Sequence, residues 1–150
     1  MKIIPVMLLL CVPLSSEAAC TLTISNFSFG VYSPTHPAPL DATGSVAVNC
    51  DGIAGQVIGY TVAINTGSSG SFVSRKMIYA PYALNYNLYL NAARTTVWGD
   101  GNVGTGIVAD SYASIAGTNV RSYSVYGRIP SGQALPPGSY NDSLVVTLGY

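Results

Sequence analysis

Charged side chains are scarce in this chain of 150 residues. Only 8% of the residues are charged, with six positive and six negative side chains, and there is one histidine. This balance argues against nucleic acid or an anionic membrane as a partner, because both are bound through clustered lysine and arginine. So few charges also leave a soluble monomer poorly protected against association.

The chain also lacks the residue patterns that catalytic and metal sites need. After residue 18 it has no glutamate, and its aspartates fall in turns or at strand ends. They are Asp41, Asp51, Asp100, Asp110 and Asp142. The only histidine, His36, lies in a proline-rich turn, and no GxSxG nucleophile elbow is present. A GxGxxG match at 99–104 lacks the following helix, and an EF-hand loop would need more oxygen ligands. The sequence therefore predicts no enzyme, no cofactor and no metal site.

An apolar segment opens the chain and has the features of a secretory signal peptide. Lys2 supplies its positive start, and Ser16 and Ala18 supply the small residues of a cleavage site. A transmembrane anchor is the alternative, but the apolar run is too short to span a bilayer. We expect residues 1–18 to be a signal peptide and residues 19–150 to form one exported domain that does not insert into a membrane.

Two cysteines, Cys20 and Cys50, remain after this cleavage. An even number of cysteines in an oxidising compartment favours a disulfide. A metal or redox pair is the alternative, and the spacing does not support it because it is not CxxC. The sequence therefore predicts a Cys20–Cys50 disulfide.

Glycine, proline and tyrosine are abundant, with 16, 9 and 11 residues, and they disfavour helices relative to strands and tight turns. Apolar residues alternate with polar ones along most of the chain, as in half-buried strands. The predicted strands are 21–29, 46–50, 60–64, 72–79, 84–91, 107–115, 123–129 and 139–150. Short strands and turns at this spacing predict an all-β antiparallel sandwich.

The tyrosines allow two interpretations. Some belong to inward faces, whereas Tyr89 and Tyr126 fall on the opposite phase beside polar residues. Ordinary cross-strand packing is one interpretation. A sticky or glycan-facing surface is the other, and it makes Tyr89, Tyr126 and the glycine-rich loop at Trp98 candidate surface contacts.

Several short motifs follow one another along the chain in a characteristic order. They are Cys20, Phe29-Gly30-x-Tyr32, Asp41-x-x-Gly44, Val48-Asn49-Cys50, Arg75-Lys76-Met77, Leu84-Asn85-Tyr86-Asn87-Leu88-Tyr89, Arg94, Val97-Trp98-Gly99-Asp100, Tyr126-Gly127-Arg128-Ile129 and Pro137-Gly138-x-Tyr140-x-Asp142. Together they resemble the spore coat protein U domain, the fold unit of archaic chaperone–usher pilus subunits.

The resemblance implies an immunoglobulin-like sandwich that lacks its final strand. In that family a periplasmic chaperone fills the gap first, and the N-terminal extension of a neighbouring subunit replaces it during assembly at an outer-membrane usher. This is strand addition at an exposed sheet edge. The candidate walls of the acceptor groove are Leu22 and Ile24 in the first strand and Leu144, Val146 and Leu148 in the last.

The implied function is a secreted structural or adhesive subunit of a surface pilus, which passes through the periplasm to the cell surface. Two alternatives remain open. The first is a coat protein on spores or cells. The second is a self-contained secreted domain that binds a ligand.

We also expect this subunit to accept a strand without donating one. Only Ala19 lies between the expected cleavage site and Cys20, and one residue spans at most about 3.6 Å, against roughly 33 Å for a ten-residue donor strand. Such a subunit would sit at the tip of a fibre. Immunogold labelling of intact fibres should mark their ends, and label along the whole shaft would contradict the expectation.

Overall fold

The computed structural model describes residues 18–102 and 104–150. Apart from Ala18, the predicted signal peptide lies outside these residues. Within them the chain forms strands and one short 3₁₀ turn, so the all-β prediction is confirmed. The described residues contain no helix long and apolar enough to cross a membrane.

The described part of the chain contains ten strands. They are β1 (Ala19–Ile24), β2 (Leu40–Gly52), β3 (Val57–Ile64), β4 (Arg75–Tyr79), β5 (Tyr82–Tyr89), β6 (Val97–Trp98), β7 (Thr105–Gly106), β8 (Val108–Ala113), β9 (Gly117–Ile129) and β10 (Val146–Gly149). The 3₁₀ turn covers Gly67–Ser69 and follows β3.

Two sheets of unequal size make the sandwich. The larger has the order β1-β2-β9-β5-β6-β7, with β4 also paired to β5, and the smaller has the order β10-β3-β8. The central β2–β9 pair is antiparallel and runs without a break for 13 residues. It is longer than the predicted strands 46–50 and 123–129, because the ladder continues beyond the alternating apolar residues. β1 and β10 are each the end strand of their sheet, so each has one free edge.

The first strand is shorter than its alternation predicts. The pattern predicts a strand over 21–29, but β1 ends at Ile24. One further backbone hydrogen bond follows, from Ser25 to Ser45. The chain then leaves the β2 ladder, so residues beyond Ser25 are free to turn inward.

The last strand is also shorter than predicted. The alternation predicts a strand over 139–150, yet β10 has only four residues. Before it, the backbone forms isolated bridges, one between Gly138 and Tyr32 and one between Asn141 and Ile78. Isolated bridges to two different segments do not build a continuous ladder, so the strand starts late.

The position of Trp98 differs from the expectation that it is a surface contact. Its side chain is 0% exposed, and its indole N–H donates to the backbone carbonyl of Val62 at 2.9 Å. The prediction that Trp98 contacts an external surface is therefore wrong. Pairing of β6 with β5 and β7 places the residue within the larger sheet, and the indole fills the core while its one donor is satisfied.

The predicted disulfide is confirmed. Cys20 and Cys50 lie directly opposite each other in the β1–β2 ladder, with an S–S distance of 2.02 Å. Both residues are buried. The bond fastens the edge strand β1 to the centre of the larger sheet.

Removing this bond should destabilise the domain. We expect Cys20→Ser to lower the free energy of unfolding by about 2–5 kcal/mol, because the unfolded chain regains the freedom of the closed loop. Urea unfolding of the variant, with the reduced wild-type protein as the matched control, measures the change. Equal denaturation midpoints for the oxidised wild type and the variant would show that the bond contributes nothing.

Candidate functional site: a groove between β1 and β10

A cavity of about 390 Å³ lies where the free edges of β1 and β10 face each other across the sandwich. Ile24 lines it from β1, Val146 lines it from β10, and Leu144 lines it from the segment before β10. Its floor consists of core-facing apolar side chains from both sheets. They include Val46, Ile64, Leu84, Leu88, Val125 and Ile129.

Core-facing side chains of β1 become progressively uncovered along the strand. Cys20 is 8% exposed, Leu22 is half-buried and Ile24 is 54% exposed. All three lie on the same face, since side chains alternate along a strand. Their partners in β2 are buried, including Val46 opposite Ile24. The smaller sheet therefore covers one end of β1 and leaves an apolar side chain uncovered at the other.

The backbone of β1 also faces the groove. In an antiparallel ladder, hydrogen-bonded pairs alternate with non-bonded pairs. The N–H of Ser25 donates to the carbonyl of Ser45 at 2.9 Å. The pair involving Ile24 is therefore non-bonded, and the N–H and C=O of Ile24 point away from β2. The same alternation turns the backbone of Leu22 toward the free edge.

β10 repeats this arrangement on the other side. The N–H of Asn65 donates to the carbonyl of Val145 at 3.0 Å, so the backbone of Val145 faces β3. By alternation, the N–H and C=O groups of Val146 and Leu148 face the free edge. Each of these residues therefore combines a half-buried core-facing side chain with backbone groups available to another strand.

The five predicted wall residues separate into two groups. Ile24, Leu144 and Val146 line the cavity. Leu22 and Leu148 are not among its lining residues, although they pack against the buried core as Leu144 and Val146 do. The two groups share one alternating pattern in the sequence, so only the relative position of the sheets separates them.

Two phenylalanines that the sequence analysis did not assign to the site bound the cavity on a further side. The rings of Phe27 and Phe29 are 5.1 Å apart and nearly perpendicular, and Phe29 meets the ring of Tyr86 at 6.0 Å. They lie over Gly44 and Gly127 of the central pair. A Cβ at Gly44 would approach Phe27 to 2.8 Å, so the rings occupy space that side chains would otherwise fill. The Phe29-Gly30 motif was the only signal of this role in the sequence.

Asp142 fixes the rim of the cavity next to Tyr86. Its carboxylate accepts hydrogen bonds from the Tyr86 hydroxyl at 2.6 Å and from the backbone N–H groups of Ser68 and Ser143 at 3.0 and 2.9 Å. Burial raises the pKa of the Tyr86 phenol far above its usual value, and the hydrogen bond to Asp142 raises it further. The phenol therefore stays protonated and remains a donor. These contacts join the 3₁₀ turn to the groove.

The tyrosines proposed as surface contacts lie together at a different place. Tyr89 and Tyr126 are direct neighbours on β5 and β9, and both are half-buried. The Arg94 guanidinium lies 5.9 Å from the centre of the Tyr126 ring. Arg94 and Arg128 both contact Asp41, at 3.3 and 2.8 Å, and the hydrogen bond from Arg128 lowers the pKa of that carboxyl.

No group of three or more histidine, cysteine, aspartate or glutamate side chains that could hold a metal ion occurs in the part of the chain that the structure describes.

Residues 7–147 match the family model of the Spore Coat Protein U domain. Protein U of Myxococcus xanthus is 32% identical over 135 residues, which are 83% of this chain and 72% of that protein. The chain therefore belongs to the spore coat protein U domain family.

A solved structure shares the fold. It is a chain of the CsuC–CsuE chaperone–tip adhesion subunit pre-assembly complex from the archaic chaperone–usher Csu pili of Acinetobacter baumannii. The TM-score is 0.58 at 20% identity, and the match covers 89% of this chain and 40% of that one. The likeness confirms the predicted β-sandwich.

Steric crowding at Gly127 provides a test of the aromatic boundary. We expect Gly127→Ala to lower the free energy of unfolding by about 1–3 kcal/mol, because the added methyl group would overlap the Phe27 ring and displace it. It would also come within 2.6 Å of Phe29. Gly59→Ala is the matched control, since the nearest atom to its Cβ is 3.7 Å away. Urea unfolding measures both changes, and equal effects would exclude a special role for the rings.

Proposed function

We propose that this protein is a non-enzymatic structural subunit of a secreted surface pilus, assembled by adding a strand across the groove. The observation that carries the proposal is the pair of free edges, with Ile24 on one and Val146 on the other, around a single cavity. An inserted strand would bond to the backbone on both sides. Its alternate side chains would fill the cavity, which is how strand addition gains both affinity and specificity.

The proposed partners follow from the family and from the fold. A periplasmic chaperone would supply the strand first, the N-terminal segment of a neighbouring subunit would replace it, and an outer-membrane usher would organise the exchange. Likeness to a chain of a chaperone–subunit complex supports the chaperone step. An unpaired edge beside uncovered apolar side chains also invites association, so a partner would protect the subunit in transit.

A charge at Ile24 should block strand addition. We expect Ile24→Asp to reduce the yield of a one-to-one complex with a co-expressed pilus chaperone by at least about tenfold, because the strand would bury an unpaired carboxylate. Thr23→Asp is the matched control, since Thr23 is exposed on the opposite face of β1. Ile24 is already 54% exposed, so the free variant should fold.

The complex is measured by co-purification from periplasmic extracts. A wild-type protein that stays monomeric, stable and uncomplexed would contradict the proposal. Equal complex formation by the Ile24→Asp and Thr23→Asp variants would show that β1 does not contact the added strand.

A coat protein is the second candidate, and membership of a family named for a spore coat protein favours it. The same groove would then be filled within a coat layer instead of a fibre. Electron microscopy of cells that express the protein distinguishes the two, since a fibre projects from the surface and a coat does not.

Placement at the tip of the pilus and an adhesive role there remain predictions. Tyr89 and Tyr126 would supply the adhesive contact, because they lie side by side with Arg94 close to one ring. The labelling experiment on intact fibres tests the placement independently of the strand-addition test.

A further inference from the structure

Only a short antiparallel pairing holds the β10 wall of the groove in place. β10 pairs with β3 over only four residues, and the segment before it makes isolated bridges. Leu144, just before this short pairing, and Val146, at its start, nevertheless line the cavity. Strand ends with few contacts open readily, so a specific interaction is needed to hold this wall in place.

Asn65, the first residue after β3, supplies that interaction. Its backbone N–H donates to the carbonyl of Val145 at 3.0 Å, and its side-chain Oδ1 accepts from the N–H of Val145 at 2.9 Å. Oδ1 also accepts from the N–H of Gly67 at 3.2 Å. Both partners of Oδ1 are donors, so the amide orientation is determined by the network. A single residue thus pairs both backbone groups of Val145.

Arg75 holds Asn65 in place from within the core. The Arg75 side chain is 0% exposed, and its Nε donates to the Asn65 carbonyl at 2.9 Å. The rest of the guanidinium donates to the carbonyls of Ile64 and Trp98, at 3.3 and 2.7 Å, and to the Asn87 side chain at 2.7 Å. The guanidinium group is rigid and planar, so it fixes the positions of these acceptors relative to one another. The clamp on Val145 is therefore anchored to both sheets.

We infer that Asn65 is a positioning residue of the groove, which orders the β10 wall before a strand arrives. This inference rests on the proposed strand-accepting function. An ordered wall loses less conformational entropy on binding than a frayed one, so preorganisation increases affinity. Asn65 would then act on strand binding as well as on stability.

The test compares two substitutions at the same position. Asn65→Ala removes the acceptor for Val145, whereas Asn65→Asp keeps a side-chain oxygen that can accept the same bonds. Asn119→Ala is the control away from the cavity, because the Asn119 side chain, near the start of β9, likewise bonds backbone groups of Ile115, Gly117 and Cys50 and does not line the cavity. The probe is a synthetic peptide of alternating valine and threonine with a lysine at each end.

Peptide affinity and thermal unfolding with and without peptide are measured for the wild type and the three variants. We expect Asn65→Ala to bind about tenfold more weakly than wild type, because its free wall frays without this hydrogen bond and has to be ordered again when the peptide binds, at a cost of about one net hydrogen bond. Asn65→Asp should bind within about threefold of wild type, on the same scale. Hydrogen exchange of the β10 amides should accelerate in free Asn65→Ala and return toward the wild-type rate in the peptide complex.

A purely structural role predicts a different result. Asn65→Ala would then lower the melting temperature of the free and complexed protein equally and leave the peptide affinity unchanged, as expected for Asn119→Ala. That outcome, with a wild type that binds, overturns this inference alone. Failure of the wild-type protein to bind either the peptide or a chaperone overturns the proposed function and this inference with it.

Discussion

The difference in size between the two sheets is the constraint on which the rest of the structure depends. Seven strands present core-facing side chains to only three, so the smaller sheet cannot cover the whole face of the larger one. The uncovered part lies at β1, where Ile24 is exposed although its cross-strand partner Val46 is buried. Both sheets also end there in free edges, so the apolar surface and the available backbone groups coincide. This coincidence is what supports the proposed addition of a strand at the site.

Covalent and polar interactions hold the walls of this site where packing is weakest. The Cys20–Cys50 disulfide fastens β1 to β2, and the clamp of Asn65 on Val145 fastens β10 to β3. Arg75 connects the Asn65 clamp to the core, because its guanidinium donates hydrogen bonds to four acceptors. Under the proposed function, ordered walls favour binding, because any disorder in them would have to be removed when a strand is added.

Sequence patterns predicted the strands and the cysteine pair better than the site. Alternation identified Ile24, Leu144 and Val146 as core-facing, and the structure places them around the cavity. The same pattern also selected Leu22 and Leu148, which do not line the cavity. The glycine-rich loop at Trp98 was a candidate surface contact, yet the indole is buried. Phe27 was missed because its position depends on Gly44 and Gly127, which are distant in the chain.

By itself, the sequence determined that the chain is all-β and that Cys20 pairs with Cys50. The first conclusion depends on residue type and near-neighbour spacing, and the second depends on there being only two cysteines in the expected exported domain. Only the tertiary structure decided which alternating side chains are covered, because coverage depends on the strand that lies above them in the opposite sheet. Ile24 and Val46 are both core-facing and differ in exposure for that reason. Arg75 likewise became buried because backbone carbonyls from separate strands converge on its guanidinium.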